Sequence, residues 1–589
     1  MRRLWEVLRG ERRRTRKLRH LVTLLRPYRG RVAVTMIALL LATAAALVPP
    51  YLAGQAVDAI SDEDSQMLTV LLVAFIGAAV LNWGATYVQT YFINWVGQRA
   101  LQDLRVQLFE HLQRLSIGFY SRNKAGVLIS RLTNDVQALD QLVTEGMQTL
   151  FSSTLTLLGI TVILFVLDPG LALVTFLTFP LLLIGSVIFR IASSGAYRLT
   201  RERIALVTAY LQETLSGVRI VRAFGQERRH GTRFAELNDE HREANMRTVY
   251  LNAAYFPAVE LLSAVATAVI LIYGGNQVID GDVSIGVLVS FVFYLQSFFD
   301  PIQSLSQLYT TYQAGMAALD KIFELLDEEP DIADRPGALE LPRLRGEIEF
   351  DAVTFAYGDG EPALCDVSLH VPPGQTVALV GATGAGKSTL AKLVARFYDP
   401  DHGRVLVDGH DLRDVTEHSL RSQLGIVPQE SFLFSGTIRD NIAFGRRDAT
   451  EDDVRAAATA VGANAFIERL PDGYDTEVGE RGGHLSAGQR QLVAFARAAA
   501  ADPRILVLDE ATSNVDVRTE SQIEHGLRRL LAGRTALVIA HRLSTIQGAG
   551  RIVVLSGGRI EEQGTHEELL AAEGAYARLY RDWADHAAA

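Results

Sequence analysis

Residues 377–389 read VALVGATGAGKST, and this stretch decides the fold of the second half of the chain. Its four leading apolar residues predict a buried strand, its glycine-rich run comes directly after, and an amphipathic helix follows. Glycines in these places let backbone N–H groups crowd around phosphates at a helix N-terminus, where the helix dipole also favours anions. The alternative, an ordinary glycine-rich turn, does not explain this order of strand, loop and helix. From Gly346 onward short β-rich runs alternate with helical patterns, which predicts a parallel α/β sheet around a phosphate-binding loop.

A second apolar run, residues 505–510 with the sequence ILVLDE, predicts a buried strand that ends in two carboxylates. A strand that ends in Asp-Glu is common, and only the phosphate-binding loop upstream gives it a role. Asp509 is then placed to hold Mg²⁺, and Glu510 to polarise the attacking water. In the loop itself, Lys387 would reach the β- and γ-phosphates, and Ser388 would ligate Mg²⁺.

The first half of the chain is apolar over much longer runs. Hydrophobic residues make up 49% of a chain that is also 21% charged, so apolar and charged segments are kept apart. A bilayer crossing needs about 20 apolar residues in helical form. Because lipid offers backbone N–H and C=O groups no other partner, we expect helices wherever such a run occurs. Six stretches are long enough: 32–51, 67–96, 147–167, 171–191, 256–278 and 284–309.

The connections between these stretches indicate their orientation. Those after the first, third and fifth stretches lack Lys and Arg, whereas those after the second and fourth are rich in arginine. The basic connections therefore belong in the cytoplasm, together with both termini. The first thirty residues are also dense in arginine. Nucleic-acid binding is one interpretation of such an arm, but its place directly before a membrane stretch favours anchoring at anionic lipid headgroups.

Both basic connections are dozens of residues long and keep helical spacing, so we interpret them as membrane helices that continue into the cytoplasm. Their predicted tips are residues 118–123 and 213–217. Cys365 is the one cysteine, which excludes an internal disulfide and a thiolate metal cluster. The first apolar stretch is too long for a cleavable signal peptide. The predicted domains are a basic arm with an interfacial helix at 1–30, a transmembrane domain at 31–326, a linker at 327–345 and a nucleotide-binding domain at 346–582.

Residues 485–489 read LSAGQ and stand shortly before the strand that ends at Asp509. This pentapeptide resembles the signature motif of ATP-binding cassette (ABC) transporters. Six apolar stretches ahead of a nucleotide-binding domain are similar to the exporter-type half-transporter of that family, and the resemblance spans about residues 18–579. It implies an all-α six-helix transmembrane domain followed by an α/β P-loop nucleotide-binding domain. It also implies that two such chains pair around ATP and Mg²⁺.

The function that this resemblance implies is ATP-driven export of amphipathic or hydrophobic solutes, meaning drugs, lipids or peptides, across the cell membrane by alternating access. The six stretches exclude a soluble cassette ATPase that acts on DNA, and we expect no nucleic-acid partner. Two alternatives stay open: an importer of a small molecule such as a siderophore built on the exporter fold, and a membrane-bound regulatory ATPase without transport.

The sequence does not identify the solute. Glu260 is the main acidic residue within an apolar stretch, and an intramembrane carboxylate is a functional candidate. Several polar or aromatic side chains either line a cavity or pack between helices. They are Asn82, Trp83, Gln89, Tyr91, Asn94, Tyr294 and Gln296.

The resemblance assigns further roles to residues that match the motifs of the family. Gln429 matches the glutamine at Mg²⁺ and the attacking water, His541 the histidine at the γ-phosphate, and Tyr357 the aromatic residue that stacks on adenine. A tyrosine after a strand is also common without such a role. Residues 476–482 are similar to the segment that contacts the cytoplasmic turns of the partner. The predicted nucleotide contacts are Tyr357, Gly381, Thr383, Gly384, Ala385, Gly386, Lys387, Ser388, Thr389, Leu485, Ser486, Ala487, Gly488, Gln489 and Asp516. The predicted catalytic residues are Glu510, His541 and Gln429, and the predicted Mg²⁺ ligands are Ser388, Gln429 and Asp509.

Two positions depart from the pattern of the family. Ala487 stands where the family has glycine, and Asn514-Val515 stand where Ala-Leu is common. Each ATP in this family lies between the phosphate-binding loop of one chain and the signature of the other, so a methyl group at Ala487 is a modest obstruction near the γ-phosphate. A chain with complete hydrolytic residues and an altered signature is similar to one partner of heterodimeric exporters, which have one strong and one weak ATP site. We therefore hypothesise a heterodimer with a second half-transporter over a homodimer.

Overall fold

The computed structural model describes residues 25–358, 360–509, 517–540 and 542–588, which form two compact units. The second unit comprises the chain from Glu329 onward together with the short segment Arg114–Lys124, and the first unit comprises the rest. Most of the predicted arm at 1–30 lies outside the described residues.

Long helices make up the first unit. Within the described residues, six helical segments are long and apolar enough to cross a membrane, and each contains one predicted stretch to within one residue. These segments are Arg26–Ser61, Ser65–Arg114, Ala125–Leu167, Pro169–Ser216, Glu227–Asp280 and Ile285–Leu326. Their helices, with the two short helices between them, are α1 (Arg29–Ser61), α2 (Ser65–Arg114), α3 (Ile117–Arg122), α4 (Ala125–Ser130), α5 (Val136–Gln141), α6 (Met147–Leu167), α7 (Pro169–Phe176), α8 (Phe179–Ser216), α9 (Val218–Ala223), α10 (Glu227–Asp280) and α11 (Ile285–Leu326). Two π-helical turns, Arg131–Asp135 and Leu142–Gly146, join α4, α5 and α6.

The helices on either side of the two cytoplasmic connections are much longer than a bilayer crossing. The helices α2 and α10 have 50 and 54 residues, more than twice the roughly 20 that a crossing needs. The tip predicted at 118–123 holds the short helix α3. The tip predicted at 213–217 is wrong by a turn, because α8 continues to Ser216 and the connection to α10 is formed by α9 and its flanking residues. Glu213 and Leu215 favour helix, and Gly217 is the first residue outside α8.

The fourth membrane segment is interrupted at Leu177 and Thr178, between α7 and α8. Pro180 stands in the first turn of α8 and has no N–H group to donate to the carbonyl of Phe176 four residues earlier. Just before it, the Thr178 N–H donates to the carbonyl of Thr175, three residues earlier, at 3.2 Å. The apolar composition alone predicted one uninterrupted helix here, and the proline explains the difference.

Helices α1 and α11 cross with their backbones almost in contact. A Cβ on Gly54 would lie 2.2 Å from the carbonyl oxygen of Gly286, and a Cβ on Gly286 would lie 2.2 Å from the carbonyl oxygen of Gly54. One turn away, Asp58 accepts hydrogen bonds from the Gly286 N–H and the Ser284 hydroxyl, both at 2.7 Å. The two glycines permit the approach, and the carboxylate fixes the start of α11 against α1.

Two β-sheets form the core of the second unit. One is antiparallel with the order β2-β1-β4-β5, and the other has the order β10-β9-β3-β8-β7-β6, in which only β10 runs against its neighbour. The larger sheet is therefore parallel as predicted, while the antiparallel sheet has no counterpart in the sequence analysis. The strands are β1 (Ile348–Ala356), β2 (Pro362–Val371), β3 (Thr376–Val380), β4 (His402–Val407), β5 (His410–Asp411), β6 (Leu424–Val427), β7 (Ile505–Asp509), β8 (Thr535–Ile539), β9 (Arg551–Ser556) and β10 (Arg559–Gly564).

Helices cover one face of the larger sheet, and the antiparallel sheet together with a further helix covers the other, so its central strands are buried on both sides. In β3, Ala378 and Val380 belong to one hydrophobic cluster and Val377 and Leu379 to another. This packing fixes the carboxyl end of β3, where the phosphate-binding loop begins. The helices of this unit are α12 (Lys387–Val394), α13 (Glu417–Arg421), α14 (Ile438–Ala443), α15 (Glu451–Ala460), α16 (Asn464–Ile467), α17 (Ala487–Ala500), α18 (Val517–Leu531), α19 (Leu543–Gln547), α20 (His566–Ala571) and α21 (Ala575–Ala588). The predicted fold class, six membrane helices followed by an α/β nucleotide-binding domain, is confirmed.

Candidate nucleotide-binding site

The phosphate-binding loop joins the end of β3 to the start of α12, as predicted. Gly381, Gly384 and Gly386 have φ angles of 144°, 85° and 105°, in the region that favours glycine. A Cβ on Gly381 would lie 2.2 Å from the carbonyl oxygen of Leu555, and a Cβ on Gly386 would lie 2.8 Å from that of Ala363. A Cβ on Gly384 would meet no protein atom within 4 Å. The outer two glycines thus permit close packing, whereas Gly384 faces open space.

Backbone donors line this open side of the loop. The N–H groups of Gly384, Gly386, Lys387 and Ser388 have no hydrogen-bond acceptor within the part of the chain that the structure describes. They lie at the N-terminus of α12, where the helix dipole adds positive potential. The Ser388 side chain is exposed beside them. This arrangement suits a multiply charged anion such as the phosphates of ATP.

The lysine of the loop is buried and folded back over it. Its Nζ donates hydrogen bonds to the carbonyl oxygens of Gly381 and Ala382, at 2.7 and 2.9 Å. Burial lowers the pKa of the Lys387 ammonium group, and the nearby Asp509 carboxylate opposes that shift. An anionic phosphate bound at the loop would stabilise the charge that burial has made costly.

Tyr357 follows β1 directly and is 40% exposed. Its ring stands edge-on to the rings of Phe355 and Tyr398, with centroids 4.9 and 5.3 Å away. Its hydroxyl lies 3.2 Å from Oγ1 of Thr389, and the Lys392 Nζ lies 5.2 Å from its ring centroid. Because both α12 side chains contact it, Tyr357 lies close to the phosphate-binding loop. Its exposed part remains accessible for stacking.

Two more of the predicted residues lie at the same edge of the sheet. Strand β8 lies between β3 and β7, and β6 pairs with β7, so the carboxyl ends of these parallel strands line up beside the loop. Asp509 is the last residue of β7, and its charge acts on Lys387. Gln429 is exposed two residues after β6. Outside the described residues lie Glu510, Asp516, His541 and the pair Asn514-Val515, whose roles stay predictions.

The predicted signature forms the start of α17. Ser486 caps the helix: its hydroxyl accepts from the Gln489 N–H at 3.3 Å, and its own N–H donates to the Gln489 side chain at 2.9 Å. Leu485 is buried, whereas Ser486 and Ala487 are exposed. None of the contacts described for this turn involves the phosphate-binding loop of the same chain. The turn therefore presents an exposed helix N-terminus.

The structure also identifies two residues that the sequence analysis missed. The segment Arg114–Lys124 contacts the rest of the second unit through Asp331 and Tyr398. Asp331 accepts from the Ser116 hydroxyl at 3.0 Å and from Nη2 of Arg122 at 3.1 Å, and the Tyr398 hydroxyl lies 3.2 Å from that of Ser121. An aspartate in a linker and a tyrosine after a helix carry no motif, so only the folded chain shows that they meet this turn.

Comparisons with known proteins agree with these features. The family model described as "ABC transporter transmembrane region" matches residues 32–302, and the model described as "ABC transporter" matches residues 364–513. The chain belongs to the ABC transporter family.

Its relatives define the kind of transporter more closely. The chain is 41% identical over 564 residues to the ATP-dependent lipid A-core flippase of Syntrophus aciditrophicus, which covers 96% of this chain and 94% of that protein. It is 38% identical to the putative multidrug export ATP-binding/permease protein YgaD of Bacillus subtilis, over 94% of this chain and 97% of that protein. It is similar to the structure of a bacterial Atm1-family ABC exporter with ATP bound, with a TM-score of 0.79, 35% identity and coverage of 94% and 98%.

The chain is thus an ABC exporter half-transporter: an ATPase coupled to transport, and a multi-pass protein of the cell membrane. ATP is its nucleotide. Half-transporters of this kind dimerise. This class favours export over the importer and the regulatory ATPase that the sequence left open.

Proposed function

We propose that this chain pairs with a second half-transporter, holds ATP between the two chains and uses its hydrolysis to export drugs or lipids. The observation that carries the proposal is the open row of N–H donors at Gly384, Gly386, Lys387 and Ser388. A second exposed helix N-terminus lies at Ala487, and its described contacts do not involve the phosphate-binding loop of the same chain. Two chains arranged head to tail would place each ATP between the phosphate-binding loop of one chain and the helix N-terminus at Ala487 of the other.

The phosphate-binding loop would hold the β- and γ-phosphates through these N–H groups and through Lys387. To reach them, the Lys387 ammonium group must leave the carbonyl oxygens of Gly381 and Ala382, to which it now donates. Glu510 is assigned as the general base that polarises the attacking water, and His541 as the donor to the γ-phosphate. Adenine would stack on the exposed part of Tyr357.

The residues at the sheet edge suit Mg²⁺, which prefers oxygen ligands and keeps several waters. Asp509 supplies a carboxylate, Ser388 an exposed hydroxyl and Gln429 an exposed amide oxygen. Asp509 ends β7, Gln429 follows β6 and Ser388 lies in the first turn of α12, so all three belong to the edge of the sheet at which the loop begins. Bound Mg²⁺ would neutralise charge that develops on the phosphates. We therefore assign these three residues to its coordination.

Two exposed apolar surfaces support dimerisation. In the first unit, Ile220 of α9 is 64% exposed and the adjacent Phe224 is 72% exposed. In the second unit, Phe434 and Phe444 stack with centroids 4.7 Å apart and are 47% and 64% exposed. The bridge between Thr437 and Glu477 ties this aromatic pair to the segment 476–482. We propose that α9 of each chain packs against the aromatic pair of the other chain.

The second chain is proposed to be a different half-transporter. Ala487 adopts the helical backbone without strain, so its methyl group does not disturb its own chain. The cost of that methyl group arises only when a γ-phosphate approaches the exposed turn. A partner with glycine at this position would provide one unobstructed ATP site, next to the hydrolytic residues of the present chain.

The solute class is proposed from the relatives and from the membrane helices. The structure assigns packing roles to Asn82, whose side chain donates to the Ala42 carbonyl at 2.9 Å, and to Tyr294, which is fully buried. Trp83, Tyr87 and Tyr91, by contrast, form a ladder of stacked and exposed rings along α2. Exposed aromatic rings on a membrane helix suit flat or amphipathic solutes and lipid, which favours drugs or lipids over polar solutes.

Cross-linking tests the proposed ATP sandwich. In a Cys365→Ala background, Ala382→Cys places a thiol on the phosphate-binding loop and His484→Cys places one beside the signature turn, both at exposed positions. ATP should promote a disulfide between two chains, and a dimer band should be absent when Lys387→Ala is added. Dimer formation that ATP leaves unchanged would contradict the sandwich.

The choice of partner has its own test. Alone in lipid nanodiscs, the wild-type chain should hydrolyse ATP slowly, and Ala487→Gly should raise the rate because it removes the obstruction from a homodimer. A wild-type chain that is fully active alone, with no gain from glycine, would show that a homodimer is the working form.

A further inference from the structure

The segment Arg114–Lys124, called the first cytoplasmic turn below, meets the predicted adenine site through one side chain, Tyr398. On one side, the Tyr398 hydroxyl lies 3.2 Å from the hydroxyl of Ser121. On the other side, its ring stands edge-on to Tyr357 at 5.3 Å and 88°, and packs against Phe355 at 5.3 Å. Three side chains therefore connect the turn between two membrane helices with the surface on which adenine would stack.

The same turn is held against Tyr398 at further points. A Cβ added to Gly118 would lie 3.3 Å from Cε1 of Tyr398 and 3.1 Å from a carboxylate oxygen of Asp331. Asp331 in turn accepts hydrogen bonds from Ser116 and Arg122, at either end of α3. The Asp331 carboxylate therefore holds both ends of α3 close to the Tyr398 ring.

We propose that Tyr398 is a positioning residue that links occupancy of the adenine site to the position of the first cytoplasmic turn. It touches neither nucleotide nor solute in this role. The Tyr398 ring packs edge-on against the Tyr357 ring, and the Tyr398 hydroxyl contacts the Ser121 hydroxyl. A movement of the Tyr357 ring would therefore be transmitted through Tyr398 to Ser121. The proposal rests on the assignment of Tyr357 to adenine made above.

Equilibrium linkage gives this proposal a measurable consequence. If adenine binding biases the position of the turn, the turn must bias adenine binding to the same extent, so a variant that breaks the link between them should change the affinity for adenine. A change made at Ser121, which belongs to the turn and lies away from the phosphate-binding loop, should therefore weaken ATP binding. It should leave the binding of an anion without a base unchanged, because that anion uses only the loop.

The experiment measures two dissociation constants for each variant of the full-length chain in lipid nanodiscs. ATP and inorganic tripolyphosphate each displace a fluorescent ATP analogue in EDTA, which prevents hydrolysis. Ser121→Ala and Tyr398→Phe each remove the same hydrogen bond, so each should raise the dissociation constant for ATP about two- to fivefold. The double variant should be no worse than either single variant. Tripolyphosphate should bind all three as it binds the wild type.

A pair of glycine variants supplies a matched control. Gly118→Ala adds a methyl group against the Tyr398 ring and should weaken ATP binding, whereas Gly126→Ala adds one in open space and should not. Tyr357→Ala should weaken ATP binding by more than tenfold. If Tyr357→Ala has this effect while Ser121→Ala and Tyr398→Phe have none, the link is wrong and the adenine site stands. If Tyr357→Ala has no effect, both assignments fail, and equal weakening of tripolyphosphate would also overturn the link.

Discussion

The crossing of α1 and α11 predicts a large penalty for a single methyl group. In Gly54→Ala the new Cβ would start 2.0 Å from the Ser290 hydroxyl and 2.2 Å from the carbonyl oxygen of Gly286. Ordinary contact begins at 3.4 Å, so the backbones must separate by about 1.2 Å, the difference between 3.4 and 2.2 Å. The same shift would stretch the 2.7 Å bond from the Gly286 N–H to Asp58 beyond hydrogen-bonding distance. Overpacking and one lost charge-assisted bond together cost about 3 kcal/mol.

Thermal unfolding in lipid nanodiscs, followed by tryptophan fluorescence, measures this cost. Gly54→Ala should lower the midpoint by roughly 5–10 °C on the scale established for soluble domains. Gly77→Ala is the matched control, because a Cβ on that glycine of α2 would meet no atom within 4 Å. It should keep or slightly raise the midpoint, since alanine favours helix over glycine. Ser290→Ala in the Gly54→Ala background should rescue little, because the backbone oxygen of Gly286 remains. Equal midpoints for Gly54→Ala and Gly77→Ala would refute the close crossing.

Three further predictions concern the loop and the interrupted helix. Because burial lowers the pKa of Lys387, its charge is lost at a lower pH than that of an ordinary lysine. The affinity for ATP should therefore fall as the pH rises into the alkaline range. Measurements of ATP binding against pH should show this fall, and Lys387→Arg should make the affinity less dependent on pH. Gly381→Ala should lower the unfolding midpoint without nucleotide and also weaken ATP binding, because its Cβ meets the Leu555 carbonyl. Gly384→Ala should mainly weaken ATP binding, because its Cβ meets no protein atom. Similar unfolding midpoints for the two variants would contradict the packing of the loop. Pro180→Ala restores an amide donor for the Phe176 carbonyl, so hydrogen exchange at residues 177–179 should slow, and unchanged exchange would show that the proline does not cause the break.

Periodicity and motif order were enough to predict the architecture. Apolar runs of bilayer length had to be helices, and the six helical segments contain them. The run VALV before the glycines had to be a buried strand, and β3 is buried on both faces. The open side of the phosphate-binding loop follows from the same stretch, because its glycines adopt backbone angles that other residues avoid.

Features that depend on one hydrogen bond or on long-range packing could not be predicted. The break at Pro180 needs only the loss of one amide donor, which an average of hydropathy over twenty residues does not register. The antiparallel sheet of β1, β2, β4 and β5 depends on pairings between distant segments. Tyr398 and Asp331 contact the first cytoplasmic turn across more than two hundred residues of sequence. For the second turn, α8 continues through Ser216, because Glu213 and Leu215 favour helix and Gly217 is the first residue outside it.

ATP-dependent movement of solute tests most directly whether this chain exports solutes at the expense of ATP. Inside-out membrane vesicles that contain the full-length chain, expressed with its partner, would be given a lipophilic cationic dye or a fluorescent phospholipid as probe. ATP should drive accumulation of at least one probe, and Glu510→Gln should abolish accumulation while the chain still binds ATP. ATP hydrolysis by the wild type with no movement of either probe, or undiminished transport by Glu510→Gln, would contradict ATP-driven export by this chain.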